Sequence, residues 1–128
     1  TGGVVSISGG VTAPYRGRPQ ALKRCLANLL ENAIKYGKSA ELVVDDNAER
    51  LRIRILDEGP GLPQVELEKV FEPFYRIEGS RNRDTGGTGL GLAIAKNVAE
   101  LHRGVIELRN RSAGGLEAVL TLPRVAAG

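Results

Sequence analysis

The stretch NLLENAIKYG, from Asn28 to Gly37, places two asparagines and a lysine at helical spacing. At about 100° per residue, Asn28, Asn32 and Lys35 form a stripe on the shoulder of an apolar helix face. Water is limited at that position, so the amides need partners. Neutral amide oxygens can ligate Mg²⁺ beside substrate phosphates, and the lysine would bring positive charge toward a phosphate. The alternative is that each asparagine caps a nearby backbone group.

The second feature is a carboxylate at the end of a strand. In RLRIRILDEGPG, Leu51, Ile53 and Ile55 alternate with arginines, and the same two-residue period puts Asp57 on the apolar face. A carboxylate there is costly unless it accepts hydrogen bonds, and an exocyclic amine is one suitable donor. The glycines that follow would let a flat ligand approach the backbone. Asp-x-Gly-x-Gly is also a common turn, so this motif alone does not decide between the two readings.

The third feature is GGTGLGL, from Gly86 to Leu92, a glycine-rich segment that leads straight into a helix. Free backbone amides and the positive end of a helix dipole make such a segment an anion site. Glycine also serves ordinary loops, so this signal is weak by itself. The segment lacks the Gly-Lys-Ser/Thr ending of a P-loop, and it follows no predicted strand, which excludes a Rossmann fingerprint.

The rest of the pattern predicts the elements that hold these motifs. One or two short strands precede a long helix from Pro19 to about Tyr36, which ends at the natural C-cap Gly37. A hairpin, a short helix stopped near Pro73, a second long helix from Leu90 to Gly104 and a second hairpin follow. The polar segment 77–88 is expected to be mobile. We therefore predict an α+β fold, a two-layer α/β sandwich with a mixed sheet of about five strands and about three helices on one face.

Composition excludes several classes of protein. The chain has 128 residues, 41% hydrophobic and 26% charged, which suits one soluble globular domain. One cysteine and one histidine exclude a disulfide framework and a Cys/His zinc site, and we interpret Cys25 as a small buried hydrophobe. A net charge of +3 with 4% aromatics is not typical of a nucleic-acid binder. No apolar run reaches membrane-spanning length, and the start at Thr1 suggests a fragment of a longer parent.

Taken together, these motifs resemble the ATP-binding domain of sensor histidine kinases, in the GHKL superfamily. NLLENAIKY is similar to its N box, DEGPG to its G1 box, FEPFYR (Phe71 to Arg76) to its F box, and GTGLGL to its G2 box. All four occur in the family's order and spacing, and the resemblance covers the chain from about Pro19 to Pro123. The resemblance implies the Bergerat fold of that superfamily.

The resemblance also implies roles for individual residues. Asn32, helped by Asn28, is expected to hold Mg²⁺. Lys35 is expected to face the phosphates, and Tyr36 the nucleoside side. Asp57 is expected to accept a hydrogen bond from the adenine amine. The expected catalytic residues are Asn28, Asn32, Lys35, Arg76 and Arg81.

The segment from Gln64 to Thr88 resembles the ATP lid of the family. Within it, Arg76 and Arg81 occupy positions from which lid cations reach the phosphates. Gly59 and Gly61 are expected to shape the adenine pocket. The G2 box supplies the remaining expected nucleotide-binding residues, which are Gly87, Thr88, Gly89, Leu90 and Gly91.

One position separates the branches of the superfamily. Members of the gyrase, Hsp90 and MutL type carry a water-activating glutamate four residues before the metal-binding asparagine, and here that residue is Asn28. Glu31 lies about 100° away from Asn32 around the helix, so it is poorly placed to substitute. The pattern therefore favours phosphoryl transfer over hydrolysis. His102 does not match the acceptor motif, so the acceptor histidine is expected on a preceding domain outside this chain.

We expect residues 1–128 to be the catalytic ATP-binding domain of a sensor histidine kinase. It would use Mg-ATP to phosphorylate a histidine on the parent's dimerisation domain, from which a response regulator receives the group. The fragment is expected to be a monomeric cytoplasmic piece of a homodimeric parent in the bacterial inner membrane. Two alternatives are a nucleotide-binding regulatory module without transfer, and a GHKL-type kinase with another protein acceptor, such as a serine.

Overall fold

The computed structural model describes residues 4–9, 15–37, 39–75 and 90–124. Five strands and two α-helices lie within these ranges, and none of their helices is long and apolar enough to cross a membrane. The elements are β1 (Val4–Gly9), α1 (Pro19–Gly37), β2 (Ser39–Asp46), β3 (Arg50–Leu56), α2 (Gly91–Leu101), β4 (Val105–Asn110) and β5 (Leu116–Pro123).

The strands form one mixed sheet in the order β1-β2-β3-β5-β4. β1 runs parallel to β2, and every other neighbouring pair is antiparallel. Both predicted hairpins, β2–β3 and β4–β5, are therefore present. The second hairpin does not simply extend the first: β5 lies between β3 and β4, so the last strand of the sequence is internal to the sheet.

One face of the sheet carries the hydrophobic core. In β3 the residues Leu51, Ile53 and Ile55 are buried, and the residues between them are only half-buried, as the two-residue period predicts. Their register partners in β5 are apolar as well. Both α-helices pack on this face and share one cluster with it, which confirms the two-layer sandwich. The helical members of the cluster include Cys25, Leu29, Ala33, Ala95, Val98 and Ala99.

The short helix predicted before Pro73 is wrong as an α-helix. The structure has two 3₁₀ turns of three residues each, Gln64–Glu66 and Lys69–Phe71. The reason is the proline at each end: Pro63 precedes the first turn in an extended conformation, and Glu72, before Pro73, is extended at ψ 138°. A residue before proline avoids the α region, so too few residues remain for a stable α-helix.

The end of α2 also differs in detail from the prediction. The helix stops at Leu101, and Arg103 rather than Gly104 adopts the left-handed conformation, with φ of 60°. The amide of Gly104 then donates to the carbonyl of Ala99 at 2.8 Å. Glycine is required at position 104 for another reason, because a Cβ atom there would overlap the Thr121 carbonyl oxygen of β5.

A polar cluster ties the segment before α1 to the end of β5. Arg124 donates two hydrogen bonds of 2.7 Å to Asp46, whose side chain is fully buried. These bonds raise the pKa of the Arg124 guanidinium. The Tyr15 ring lies 5.6 Å from that guanidinium, and its hydroxyl donates to the Pro123 carbonyl at 2.9 Å. The cluster fixes where the chain approaches α1.

Candidate functional site

The middle of α1 faces the first residue of α2. A Cβ atom placed on Gly91 would lie 3.9 Å from the Cβ, Cγ and Oδ1 atoms of Asn28. The glycine-rich segment that the sequence assigns to phosphates therefore leads to the helix start beside this asparagine. Among the described residues, nothing accepts a hydrogen bond from the buried Nδ2 of Asn28.

An unpaired buried amide is costly, so this feature needs an explanation. The Nδ2 atom is a hydrogen-bond donor, so an acceptor such as a phosphate oxygen would complete it. A site that a ligand completes accounts for the observation. Asn32 and Lys35 are half-buried and lie one and two turns further along the same side of α1.

Asp57 occupies the inward position just after β3 and is only 4% exposed. Its backbone amide donates to the Leu116 carbonyl at 2.9 Å, which extends the β3–β5 pairing by one residue. Its Oδ1 atom accepts from the amides of Gly59 at 2.9 Å and Leu116 at 3.1 Å. Within the described chain, no donor contacts Oδ2. One carboxylate oxygen is thus held by two backbone amides, and the other has no partner in the described chain.

Asn28 and Asp57 are both positioned by neighbours in the same buried cluster. Leu29, next to Asn28, and Ile55, two residues before Asp57, belong to the same buried cluster and are each 2% exposed. Because interiors are close-packed, neither Asn28 nor Asp57 can shift without disturbing the other. Asn28 thus offers an amide oxygen beside the start of α2, and Asp57 offers a carboxylate acceptor just after β3.

A comparison with family models matches residues 17–126 to the histidine kinase-, DNA gyrase B-, and HSP90-like ATPases. The chain belongs to this family. The match extends over every described element except β1, and it includes all four motifs of the sequence analysis. The predicted resemblance is therefore confirmed.

Among curated proteins, this ATPase-family chain is 46% identical over 123 residues to the sensor histidine kinase GtrS of Pseudomonas aeruginosa. The match takes in 96% of this chain and 25% of GtrS. The sensor histidine kinase CpxA of Escherichia coli is 38% identical over 111 residues, with 86% of this chain and 24% of CpxA covered. The chain thus spans about a quarter of the length of these relatives.

Among solved structures, the ATP binding domain of PrrB from Mycobacterium tuberculosis superposes with a TM-score of 0.78 at 30% identity. That likeness covers 98% of this chain and 83% of PrrB's. The mycobacterial sensor histidine kinase MprB gives a TM-score of 0.80 at 28% identity, covering 96% and 86%. These findings confirm the predicted fold and identify this family member as an ATP-binding catalytic domain of the histidine kinase type.

Some predicted site residues lie outside the described residues. These are Arg76, Arg81, Gly87, Thr88 and Gly89, together with the side chain of Tyr36. The same applies to the whole segment 77–88, which was expected to be mobile, and to the later part of the expected lid. Their roles therefore remain predictions. The first part of the expected lid is described, and there Val70 and Phe71 anchor it in the core.

Three residues that contact the loop 57–62 of this domain belong to none of the motifs recognised in the sequence. Asn110 bonds to both the amide and the carbonyl of Leu62, Arg111 donates to the Asp57 carbonyl, and Gly115 packs on the same peptide. Antiparallel pairing of β5 with β3 brings the start of β5 beside the end of β3, and this pairing is not contained in the local sequence patterns. The hairpin was interpreted only as the closing element of the sheet.

Cys25 and His102, the chain's cysteine and histidine, both make structural contacts. Cys25 is fully buried, and burial raises the pKa of its thiol to about 11. The Nε2 atom of His102 accepts from the Arg18 amide at 2.9 Å, while its Nδ1 lies 2.8 Å from the Val98 carbonyl. Both ring nitrogens are thus engaged by backbone groups.

Proposed function

We propose that the chain binds Mg-ATP and delivers its γ-phosphoryl group to a histidine on a separate dimerisation domain of the same parent protein. The phosphohistidine would then supply a receiver aspartate of a response regulator. Support for this proposal comes from the family of the chain and from sensor histidine kinases among its relatives. Those relatives are about four times longer than the matched domain, which leaves room for acceptor and sensor domains.

The main support for nucleotide binding is that only one of the two carboxylate oxygens of Asp57 has hydrogen-bond partners in the described chain. Two backbone amides hold Oδ1, so the side chain cannot rotate freely, and Oδ2 faces no donor of the described chain. The open oxygen can accept a hydrogen bond, and the exocyclic amine of adenine would supply one. Gly59 and Gly61 would shape the adenine pocket.

The residues of α1 fit a magnesium ion. Asn28 and Asn32 would offer neutral oxygens, which can ligate the ion without leaving a buried charge when it is absent. The Nδ2 atom of Asn28, unpaired in the described chain, would donate to a phosphate oxygen, while the oxygen of the same amide would face the ion. When bound, the ion would neutralise phosphate charge during transfer. Lys35 would contribute a positive charge two turns along the helix.

The side chains of α1 also favour transfer over hydrolysis. Asn28 cannot act as a general base toward water, because its amide does not accept a proton at neutral pH. Glu31, the nearest carboxylate on the helix, is exposed to solvent rather than turned toward Gly91. Phosphoryl transfer depends mainly on positioning and charge neutralisation, so a base on this domain is unnecessary.

The remaining assignments extend the same proposal. Arg76 and Arg81 would contact the phosphates from the lid, and backbone amides from Gly87 to Gly91 would surround them at the start of α2. Tyr36 would border the nucleoside. The parent would be a homodimer in the bacterial inner membrane, with this domain on the cytoplasmic side.

A transfer assay with the parent's acceptor domain tests the proposal. The chain is incubated with radiolabelled ATP, Mg²⁺ and the acceptor domain, and we expect an acid-labile phosphohistidine on the acceptor. Asn32→Ala should abolish labelling, whereas Asn97→Ala, an exposed asparagine on α2, should leave it unchanged. Nucleotide binding without labelling of any acceptor would indicate a regulatory module, and acid-stable label would indicate a hydroxyl acceptor.

A further inference from the structure

The turn between β4 and β5, residues 111–115, packs directly on the backbone of Asp57. Gly115 has φ of 94°, and a Cβ atom on it would overlap the Asp57 carbonyl oxygen and lie 2.7 Å from the carbonyl carbon. Only glycine permits both the conformation and the close approach. The peptide that follows the base-binding carboxylate is therefore supported by a turn from the opposite end of the sequence.

Arg111 adds a charged hydrogen bond to this support. Its Nη1 donates to the Asp57 carbonyl oxygen at 2.6 Å, and the side chain is half-buried. Hydrogen bonds from a charged donor are stronger than neutral ones. Together with the Leu116 amide and carbonyl, Arg111 holds the backbone N–H, the backbone carbonyl and one carboxylate oxygen of Asp57.

Asn110 holds the other end of the same loop. Its Oδ1 accepts from the Leu62 amide at 2.9 Å, and its Nδ2 donates to the Leu62 carbonyl at 2.7 Å. A Cβ atom on Gly61 would lie 2.6 Å from that Oδ1, so glycine at 61 also makes room for the Asn110 side chain. The loop 57–62 is thus fixed at its first and last residues by two consecutive residues of the second hairpin.

We propose that Asn110 and Arg111 are positioning residues for nucleobase recognition. They hold the loop 57–62 so that the open carboxylate oxygen of Asp57 meets the amine of the base, although neither needs to touch the nucleotide. This inference rests on the proposed function, since it assigns the base to Asp57. Preorganisation improves binding because less conformational freedom is lost when the ligand arrives.

A merely structural role for the two residues makes a different prediction. If they only stabilised the hairpin, their loss would weaken all nucleotides equally. If they aim Asp57, their loss must affect bases with an amine more than bases without one. Inosine diphosphate separates the two cases, because hypoxanthine carries a carbonyl oxygen where adenine carries the amine.

The test is calorimetric titration of the 128-residue chain with ADP and with inosine diphosphate. Arg111→Met removes the donor and keeps the stem. Arg109→Met is the matched control, because Arg109 is exposed on β4 and its side chain pairs with the exposed Glu107. Both variants lose one positive charge, so general attraction to the phosphates falls equally. Arg111→Lys restores a donor. Asn110→Ala tests the other end of the loop and serves alone if Arg111→Met fails to fold.

We expect Arg111→Met and Asn110→Ala to lower the affinity for ADP at least about threefold and to lower the preference for ADP over inosine diphosphate. Arg109→Met should keep the wild-type preference, and Arg111→Lys should recover part of it. A preference equal to that of the wild type in both positioning variants would overturn the inference. If Asp57→Asn abolished that preference while both positioning variants kept it, only the positioning role would fall. A wild-type chain with no preference for ADP would remove the base-binding role of Asp57 and the inference with it.

Discussion

Replacing Asn28 with alanine tests the metal-site proposal most directly. The Nδ2 atom of Asn28 is buried without a partner in the described chain, and such a group costs roughly 1–3 kcal/mol. Alanine removes that cost and gains about 0.5 kcal/mol of helix propensity, while the lost packing of a half-buried amide offsets part of the gain. We therefore expect the nucleotide-free protein to be unchanged in stability or more stable by up to about 2 kcal/mol. Binding of ADP should lose part of its dependence on Mg²⁺, because Asn32 still offers an oxygen.

Urea unfolding measures the free energy of unfolding, and calorimetry with Mg²⁺ or with EDTA measures the metal-dependent part of binding. Asn97→Ala is the matched control, because this asparagine lies on α2 and is exposed, so only the propensity term applies. If Asn28 instead caps a backbone group, Asn28→Ala should lower the stability and leave Mg²⁺-dependent binding unchanged. A loss of about 1 kcal/mol or more in stability, with Mg²⁺-dependent binding intact, would refute the metal-site reasoning.

Three further outcomes are expected. Asp57→Asn should weaken ADP binding at least about tenfold in calorimetry, because a donor replaces an acceptor oxygen; equal affinity would exclude Asp57 from base recognition. The folded-state thiol pKa of Cys25, about 11, exceeds its ordinary value of 9.0, so its contribution to stability is complete below pH 9 and is lost as the pH rises toward 11. Unfolding free energies should therefore fall more steeply over that range in the wild type than in Cys25→Ala, by up to roughly 2–3 kcal/mol, and parallel curves would contradict this. The chain alone should remain unlabelled by radioactive ATP, because both ring nitrogens of His102 contact backbone groups, and a label on His102 would show otherwise.

Local periodicity predicted most of the fold. The alternation of β3 placed Leu51, Ile53 and Ile55 inside, and its continuation placed Asp57 inside as well. These predictions succeed because burial of one face fixes the register of a strand. The two 3₁₀ turns were not predicted, because the apolar spacing of Leu67, Val70 and Phe71 also suits an α-helix. Only the conformations imposed by the flanking prolines separate the two forms.

The support behind Asp57 could not be read from any single stretch of sequence. Asn110, Arg111 and Gly115 lie in an ordinary hairpin turn, and their importance comes from the strand that passes beside them. The order of the strands depends on which complete faces of the sheet become buried together. The residue pattern within one strand does not contain this information. The sequence shows that residue 28 is an asparagine. It does not show that the Nδ2 atom lacks a partner, because this depends on how α2 packs against α1.

The internal position of β5 has a consequence for biosynthesis. β5 is synthesised after β3 and β4, yet it lies between them and supplies the Leu116 contacts of Asp57. In a nascent or truncated chain that ends before Leu116, β4 would have no partner in the sheet, and Asp57 would lose the Leu116 amide as a donor to its carboxylate. The ability to recognise a nucleotide would therefore appear only once translation has passed β5, so an incomplete chain could not compete for the nucleotide.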